Sequence, residues 1–471
     1  MDAQREVEVK LGVPDGFEPP HLVDLAGVDR VAVRTLRLRA TYWDSEDRRL
    51  ARGGLTLRHR TGEGRPRWTL KTATSTPGGL DREEISVPGP GTQVPPALQD
   101  LLTARLRGAE LHALAQVRTL RTTTLLFDVE GDELVEVVDD EVTVLRDGAV
   151  VDGWRELEVE QRPHGRKVAK RVVAALLRAG ATDVDQTPKG VRALGAGDEP
   201  ELPEAPPIKS AGDLVRASLA NGLRSIVEQD LAVRRELPDA VHQLRVACRR
   251  LRSDLRTFAV LLDEPRTDEL RGELSWLAGN LGAARDLEVL RERVHVRARE
   301  GDPLDVGPVD ALLAEQEEVA VASAAEALRS PRYLVLLQLL HDVAVSPQLS
   351  ELAGQRARDV VPGLVDRAAA KLGKALRRLD LDSPDATWHR ARIKAKRARY
   401  AAEAAAPVLG RPSKHAKRLQ TRLGEHQDAV VAAERLLVIA AEHPDLAVLC
   451  ARLAERERVL TRSVRRALLA S

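Results

Sequence analysis

Glu156, Glu158 and Glu160 occupy every second position of one short run, and Glu6, Glu8 and Lys10 do the same near the start of the chain. Arg58 and Arg60 share a third such spacing, Lys71 follows on the next run, and Arg82 stands two residues before Glu84. Lys189 and Arg192 lie in the stretch Pro188-Lys189-Gly190-Val191-Arg192, which reads as a loop. Period-two spacing puts alternate side chains on one face of a β-strand. Clustered carboxylates bind a hard divalent cation such as Mg²⁺ or Mn²⁺ through oxygen. Arginine and lysine hold phosphate oxygens, arginine often through two hydrogen bonds at once. Together these groups suit cleavage of a phosphoanhydride. The metal polarises the terminal phosphoryl group, the basic residues offset charge in the transition state, and water near a carboxylate attacks in line. Solvated faces of an open sheet account for any one of these runs. So many single-sign faces in one small region would repel within each strand. A closed barrel with a polar interior sets them opposite one another and removes that cost.

A second constellation lies in the other half. His242, Arg245, Arg249, Arg252 and Arg256 fall at 0, +3, +7, +10 and +14, one stripe of a helix. Leu244, Val246, Leu251, Leu255 and Phe258 form its core side. His389, Arg392, Lys396 and Arg399 repeat the stripe, flanked by Arg390, Lys394 and Arg397. Like charges three and four residues apart destabilise a helix, so a duplicated stripe points to an anionic partner. A long, flexible polyanion fits two stripes better than a small ligand does. Protonated histidines would read phosphate and add pH dependence. Nucleic acid is the competing polyanion. The chain is only 2% aromatic, with Tyr400 the one aromatic beside the stripes, so platforms for base stacking are scarce. Binding through the nucleic-acid backbone alone stays open.

Two kinds of element must position these groups. The 471 residues correspond to two to four domains at ~100–200 residues each. With 43% apolar and 31% charged residues and a formal net charge of +1, the composition is that of a globular protein. Two cysteines, Cys248 and Cys450, make neither a disulfide framework nor a thiolate metal site. The first ten residues carry charges where a signal peptide has its apolar core. No apolar run reaches the ~18 residues that span a bilayer. A cytoplasmic protein without a membrane segment is expected. The first two hundred residues alternate with period two, as in Leu55-Thr56-Leu57-Arg58-His59-Arg60, and break at Gly53-Gly54, Gly62 and Pro88-Gly89-Pro90. Helices are expected near 95–107 and 164–179. Proline, glycine and acidic residues then mark a linker. Beyond it, apolar residues recur at three and four, the pattern of a helical bundle. That half repeats itself: HQLRVACRRLRSDLR matches HRARIKAKRARY, and Leu281-Gly282-Ala283-Ala284-Arg285-Asp286 matches Leu423-Gly424-Glu425-His426-Gln427-Asp428.

The ordered series EVEVK, Tyr42-Trp43-Asp44, LTLRHR, WTLK, DREE, VRTLR, Asp139-Asp140, ELEVE and PKGVRAL resembles the CYTH, or triphosphate-tunnel metalloenzyme, superfamily over residues 1–195. The motifs HQLRVACRRLRSDLRTF, LGAARDLEVL, HRARIKAKRARY and LGEHQDAVV resemble the CHAD domain over residues 209–465. The resemblance implies an α+β, multidomain chain. An eight-stranded antiparallel β-tunnel with flanking helices occupies 1–195, a linker 196–208, and an all-α domain of two related helical-bundle halves 209–471. It implies Glu6, Glu8, Glu158 and Glu160 as metal ligands for Mg²⁺ or Mn²⁺. Glu84, Asp140 and Glu156 would orient water or ligands, with Asp140 preferred to Asp139. Lys10, Arg58, Arg60, Lys71, Arg82, Arg118, Arg121, Lys189 and Arg192 would line the triphosphate path. Arg118 and Arg121, three apart, fall on opposite strand faces unless a bulge intervenes. CHAD members bind inorganic polyphosphate, so the resemblance implies this role for His242, Arg245, Arg249, Arg252, Arg256, His389, Arg392, Lys396 and Arg399. Lys396 replaces the arginine of the first copy and forgoes its bidentate geometry. The expected activity is metal-dependent hydrolysis of inorganic triphosphate, with polyphosphate as partner and polyphosphate granules as a possible location. The alternative is a polyphosphate-binding scaffold with weak activity, or activity on thiamine, nucleotide or RNA 5′ triphosphates.

Overall fold

The structure, a computed structural model, describes residues 3–5, 8–14, 16–76, 79–183, 187–197, 200–262, 265–410 and 414–470. The chain divides into two compact units, Met1–Glu201 and Leu202–Ser471.

The first unit is one antiparallel sheet. Its strands are β1 (Ala3–Arg5), β2 (Glu8–Gly12), β3 (Arg30–Asp44), β4 (Thr56–Thr61), β5 (Arg67–Thr76), β6 (Gly79–Pro88), β7 (His112–Phe127), β8 (Glu133–Arg146), β9 (Ala149–Gln161) and β10 (Thr182–Asp183). They run in the order β1-β6-β5-β4-β3-β7-β8-β9-β2-β10. β1 and β2 thus lie towards opposite ends of the order, yet only two residues of chain join them. Two residues reach no more than about 10 Å, so the sheet closes on itself. Counting β1 and β2 as one edge-to-edge connector and setting aside the two-residue β10, eight strands form a tunnel.

The ELEVE run shows how one sequence pattern builds both sides of the wall. Leu157 and Val159 point outward, where Leu11, Val135 and Val137 join them against helix α1 (Arg166–Arg178). Val168, Val172, Ala175 and Leu176 make the buried face of α1 at helical spacing. Glu156, Glu158 and Glu160 therefore point inward. Tyr42, Val117, Val142 and Val144 line the inner wall further along, and there they pack on Ala193 and Leu194. Those two belong to helix α2 (Lys189–Leu194), which plugs one end of the tunnel. The PKGVR stretch read as a loop is thus the first turn of a helix. Proline sets the extended residue before it, and Gly195 ends it at φ 60°. The helix expected over 95–107 is two short ones, Pro96–Leu101 and Thr103–Leu106, broken at Leu102.

The second unit is helical: α3 (Ala211–Arg234), α4 (Ala240–Thr257), α5 (Pro265–Ala298), α6 (Gly307–Arg329), α7 (Pro331–Val345), α8 (Ala357–Leu376), α9 (Asp385–Ala404), α10 (Lys414–Glu442) and α11 (Ala447–Leu469). Packing repeats in order. α3 packs on α4, α4 on α5 and α5 on α6; α8 likewise packs on α9, α9 on α10 and α10 on α11. α4 and α9, the two basic helices, also touch each other. Leu244, Ala247, Cys248, Leu251 and Leu255 form the buried side of α4. Val246 is only half-buried and takes no full part in that face.

Gly190 lets α2 seat in the tunnel. A Cβ there would stand 2.5 Å from Tyr42 Cε1 and 2.7 Å from Thr56 Cγ2, and Tyr42 is itself buried. Gly190→Ala is expected to lower stability by about 1–3 kcal/mol through overpacking. Thermal unfolding of the full chain measures this, and an unchanged Tm would mean that α2 does not depend on this close approach.

Candidate functional site

Three inward carboxylates and three cations form a buried network near the plugged end. Asp140 on β8 accepts from Arg121 Nε at 2.8 Å and Nη2 at 2.7 Å, a two-point pair from the neighbouring strand β7. Lys189 reaches in from α2 and pairs with Asp140, with Glu156 at 2.9 Å and with Glu158 at 3.3 Å. Lys10 on β2 lies 3.2 Å from Glu158 and 3.9 Å from Glu156. Trp154 Nε1 donates to Glu156 at 2.7 Å. Burial opposes the charge on Glu158, yet Lys189, Lys10 and Arg121 hold its carboxyl well below the usual range. Burial likewise opposes the Lys189 ammonium, and Glu158, Asp140 and Glu156 raise its pKa above the ordinary value.

Other inward groups line the wall. Lys71 pairs with Glu84 at 2.9 Å. Burial opposes the Glu84 charge, but Lys71 and Arg58 lower its pKa. Arg60 pairs with Glu63 at 3.0 Å. Arg58 is favoured by Tyr42 and Glu84, and its Nε is buried without a hydrogen-bond partner. Glu160 stands opposite Glu136 of β8 on one side and, by backbone register, opposite Glu8 of β2 on the other. Arg162 pairs with Glu160 at 3.4 Å, with Glu133 at 2.6 Å and with Glu136. Arg34 approaches Glu136 at 3.6 Å.

Asp139 and Asp140 separate cleanly. Asp139 is on the outer face, held by Arg155 at 2.7 and 2.9 Å. Asp140 is inside and wholly buried. Arg118 is on the outer face, opposite Arg39 and Thr143, and exposed. No bulge falls between Arg118 and Arg121, so the period of two carries Arg118 away from the tunnel, contrary to expectation. Arg192 is also outside the buried network, paired with Asp152 at 3.0 Å and stacked over Trp154. Glu6 lies outside the described residues. For Glu8 and Arg82 the strand position alone is described: Glu8 opposite Glu160, Arg82 opposite Ala73. Sequence reasoning passed over Glu136, Arg162 and Arg34. Glu136 sits four residues before Asp140, the same-face spacing that would have found it. Asp44 of the Tyr42-Trp43-Asp44 motif serves the fold, accepting from the backbone of Ser45, Leu50 and Ala51.

The inward bank offers oxygen donors only, which fits a hard cation such as Mg²⁺ or Mn²⁺. Its carboxylates are held apart by Lys10, Arg121, Lys189 and Arg162, so a metal would take them over from these cations. Among the described residues, one acidic trio already has converging ligand atoms: Asp128, Glu130 and Asp132 in the β7–β8 turn. There Asp128 accepts from the backbone of Glu130 and Asp132, the ordinary bonding of a turn.

In the second unit, a cavity of about 1260 Å³ opens between α4, α5, α9 and α10. His242, Arg245, Arg249, Arg252 and Arg256 line it from α4, and His389, Arg392 and Lys396 from α9. The two stripes are one basic groove. Arg399 is not part of it. Glu403, one turn further along α9, holds its guanidinium at 2.6 Å, whereas Arg252 at the same +10 position of α4 lines the groove. Arg397 and Tyr400 line the groove in its stead. Arg245 pairs with Asp286 and Arg392 with Asp428, the last residues of the two matching motifs, at 2.9 and 3.0 Å. Arg249, Arg252, Arg256, Lys396 and Arg397 have no carboxylate within ion-pairing distance among the described residues. His242 Nδ1, His389 Nδ1, Arg249 Nε and Arg392 Nε are buried without hydrogen-bond partners. Burial and then Arg285 depress the pKa of His242. His426 of the second motif is stacked on Trp388, 5.0 Å between ring centroids; burial and Arg465 push its pKa down to about 4.

The tunnel network makes a stability prediction. Asp140→Asn leaves Arg121 and Lys189 short of a buried counter-charge and is expected to cost about 3–5 kcal/mol. Calorimetry of the full chain should show one transition moved down on the order of 10 °C. Loss of less than a degree would mean that solvent or neighbours already satisfy both cations.

Residues 4–189 match the CYTH domain model and residues 217–437 the CHAD domain model. Two curated relatives are similar along nearly the whole chain: the uncharacterized protein Rv2226 of Mycobacterium tuberculosis strain H37Rv and the uncharacterized protein MT2285 of strain CDC 1551. Each is 33% identical over 463 residues, covering 92% of this chain and 88% of the relative. Among solved structures, PptA from Streptomyces chartreusis is 24% identical, covering 55% of this chain and 98% of that one, with a TM-score of 0.48. The CHAD domain from the plant Ricinus communis is 28% identical, covering 57% and 94%, with a TM-score of 0.45. Among the described residues no helix is long and apolar enough to cross a membrane. CYTH proteins are triphosphate-tunnel metalloenzymes, generally dependent on a divalent cation. This chain, with its charged tunnel followed by a helical unit, belongs to the family in which a CYTH domain precedes a CHAD domain.

Proposed function

We propose that the tunnel hydrolyses the terminal phosphoanhydride bond of inorganic triphosphate and that the helical groove binds inorganic polyphosphate. The observation that carries the first part is the orphaned Arg58 Nε, buried on the inner wall of the tunnel that also carries the Glu156–Glu158–Glu160 bank. An anionic oxygen satisfies that donor, and a hydroxyl or neutral ring does so less well. Arg58, Arg60 and Lys71 would hold the phosphate chain from β4 and β5. Glu158 and Glu160, with Glu6 and Glu8, are the candidate ligands for Mg²⁺ or Mn²⁺, which supplies Lewis-acid polarisation of the phosphoryl oxygens. Glu84, Asp140 and Glu156 would orient water and the neighbouring cations. Lys10, Arg121 and Lys189 would exchange part of their bonding from carboxylate to phosphate as charge develops. The groove, with cations in excess of carboxylates, would tether the chain to cytoplasmic polyphosphate and to granules that contain it.

Phosphate release from inorganic triphosphate by the full chain, with Mg²⁺, Mn²⁺ or EDTA, tests the tunnel. Turnover that EDTA abolishes is expected, and Arg58→Met should lower kcat/KM by about 100-fold, the effect of losing one charge-stabilising donor. A panel of thiamine, nucleotide and RNA 5′ triphosphates ranks the substrates, and a higher kcat/KM for any of these replaces inorganic triphosphate with that compound. No turnover on any of them, with polyphosphate still bound, would make the chain a polyphosphate scaffold.

A further inference from the structure

Lys396 stands inside the groove where the two basic helices meet. It is half-buried on α9, and no carboxylate pairs with it among the described residues. The nearby acids are already committed, Asp428 to Arg392 and Asp286 to Arg245. The charges that act on its amine come from each side. Arg392 precedes it by one turn on its own helix, Arg249 and Arg245 face it from α4, and Asp428 faces it from α10. α8, the remaining long helix packed on α9, supplies none of these. Arg392 and Arg245 have Asp428 and Asp286 to offset them and Arg249 has none, which leaves a positive field at a partly desolvated amine. Burial first, then Arg392 and Arg249, push its pKa down to about 7. A guanidinium cannot escape such a field by losing its proton, whereas an ammonium can. The substitution that makes the second stripe differ from the first, lysine for arginine, is therefore a change of proton chemistry as well as of shape.

A phosphate chain lying in the groove reverses the field. Its oxygens neutralise Arg249 and Arg392 and accept hydrogen bonds from a charged amine, so the bound state favours the ammonium. Resting on the polyphosphate reading above, we propose that Lys396 engages the anion by taking up a proton, which makes polyphosphate binding proton-linked and tighter as the pH falls. The sign follows from linkage. The free groove holds fewer protons than the bound groove at every pH between the free value near 7 and the ordinary lysine value near 10.4. Within that window affinity falls as pH rises, by up to tenfold per unit. His242, whose pKa burial and Arg285 depress, contributes only below the ordinary histidine range.

Calorimetric titration of the full chain with inorganic polyphosphate, at about pH 8 and 9 in buffers of different ionisation enthalpy, reads both quantities. At these values histidines and phosphate end groups no longer titrate. The expected result is an affinity that drops close to tenfold between the two and uptake of about one proton per bound site. Lys396→Arg keeps the charge permanently, so it should bind with neither the pH slope nor the proton uptake; Lys396→Gln should lose both and bind more weakly. Binding by the unaltered chain without proton uptake overturns this inference alone, as does a Lys396→Arg chain that retains the uptake. Failure to bind polyphosphate at any pH from about 6 to 9 overturns the groove's assigned role and this inference together.

Discussion

Charge matching inside a closed sheet is the constraint on which the tunnel unit depends. A buried ion left unpaired costs several kcal/mol, and the inner wall carries Asp140, Glu156 and Glu158 with little access to water. Lys10, Arg121 and Lys189 answer them one for one. Two of these cations come from the wall itself, but Lys189 comes from the helix that plugs the end. The plug is thereby held twice, by Ala193 and Leu194 in an apolar collar and by an ammonium among three carboxylates. Either hold depends on the other, because the helix must seat fully for Lys189 to reach, and Gly190 is what allows that depth. A strand pattern, a short helix and a glycine thus act as a single device.

The helical unit treats charge in the opposite way. Its tight ion pairs lie where the fold needs them: Arg293 with buried Glu457, and Arg234 with buried Asp230, to which the Tyr333 hydroxyl also donates. In the groove, Asp286 and Asp428 each neutralise the first arginine of a stripe, and Asp268 pairs with Arg271. Among the described residues, the cations deeper along both stripes are left without acids, and buried ring and guanidinium nitrogens are left without acceptors. A face evolved only for solubility would intersperse acids among these bases, as α11 does with Glu455 beside Arg458 and Arg462. Uncompensated charge on the two packed helices α4 and α9 is instead the condition for gripping an anion.

Most of this was legible in the sequence because periodicity carries it. Alternation in ELEVE assigned carboxylates to one side and Leu157 and Val159 to the other before any coordinates. The same rule made Arg118 and Arg121 incompatible on one face, while the preference for Asp140 over Asp139 came from the family resemblance. Errors arose where a local rule ended. Arg399 is held away from the groove by Glu403 one turn on, although Arg252 at the same +10 position of α4 lines it; the spacing of a stripe does not print such a partner. PKGVR has turn composition, but its Pro188 and Gly195 flank six residues that form a helix only because the tunnel mouth offers Ala193 and Leu194 a place to bury. Arg162 and Arg34 belong to no motif; their roles follow from cross-strand register, which a single sequence does not print.

The two charge patterns have different consequences for how a ligand enters. In the groove an anion meets Arg249, Arg252, Arg256, Lys396 and Arg397, which have no carboxylate partner among the described residues, so meeting them breaks no ion pair, and binding should weaken steeply with salt. Around Asp140, Glu156 and Glu158 each newcomer faces an occupant. A phosphate chain held by Arg58 that reaches this network alone must take Lys10, Arg121 or Lys189 from carboxylates that would then be buried and unpaired. A divalent cation alone must take Glu158 or Glu160 from an ammonium or from Arg162, leaving those cations stranded in turn. Entering together, the two exchange partners in one balanced step: the metal takes the carboxylates, the phosphate takes the cations, and no buried ion is left over. In the proposed reaction, then, the same ion pairs that stabilise the empty tunnel make it selective for a metal-complexed polyanion over either component. They also explain why a wall so dense in opposite charges need not collapse on itself, since every pair within it is exchangeable for a pair with the substrate.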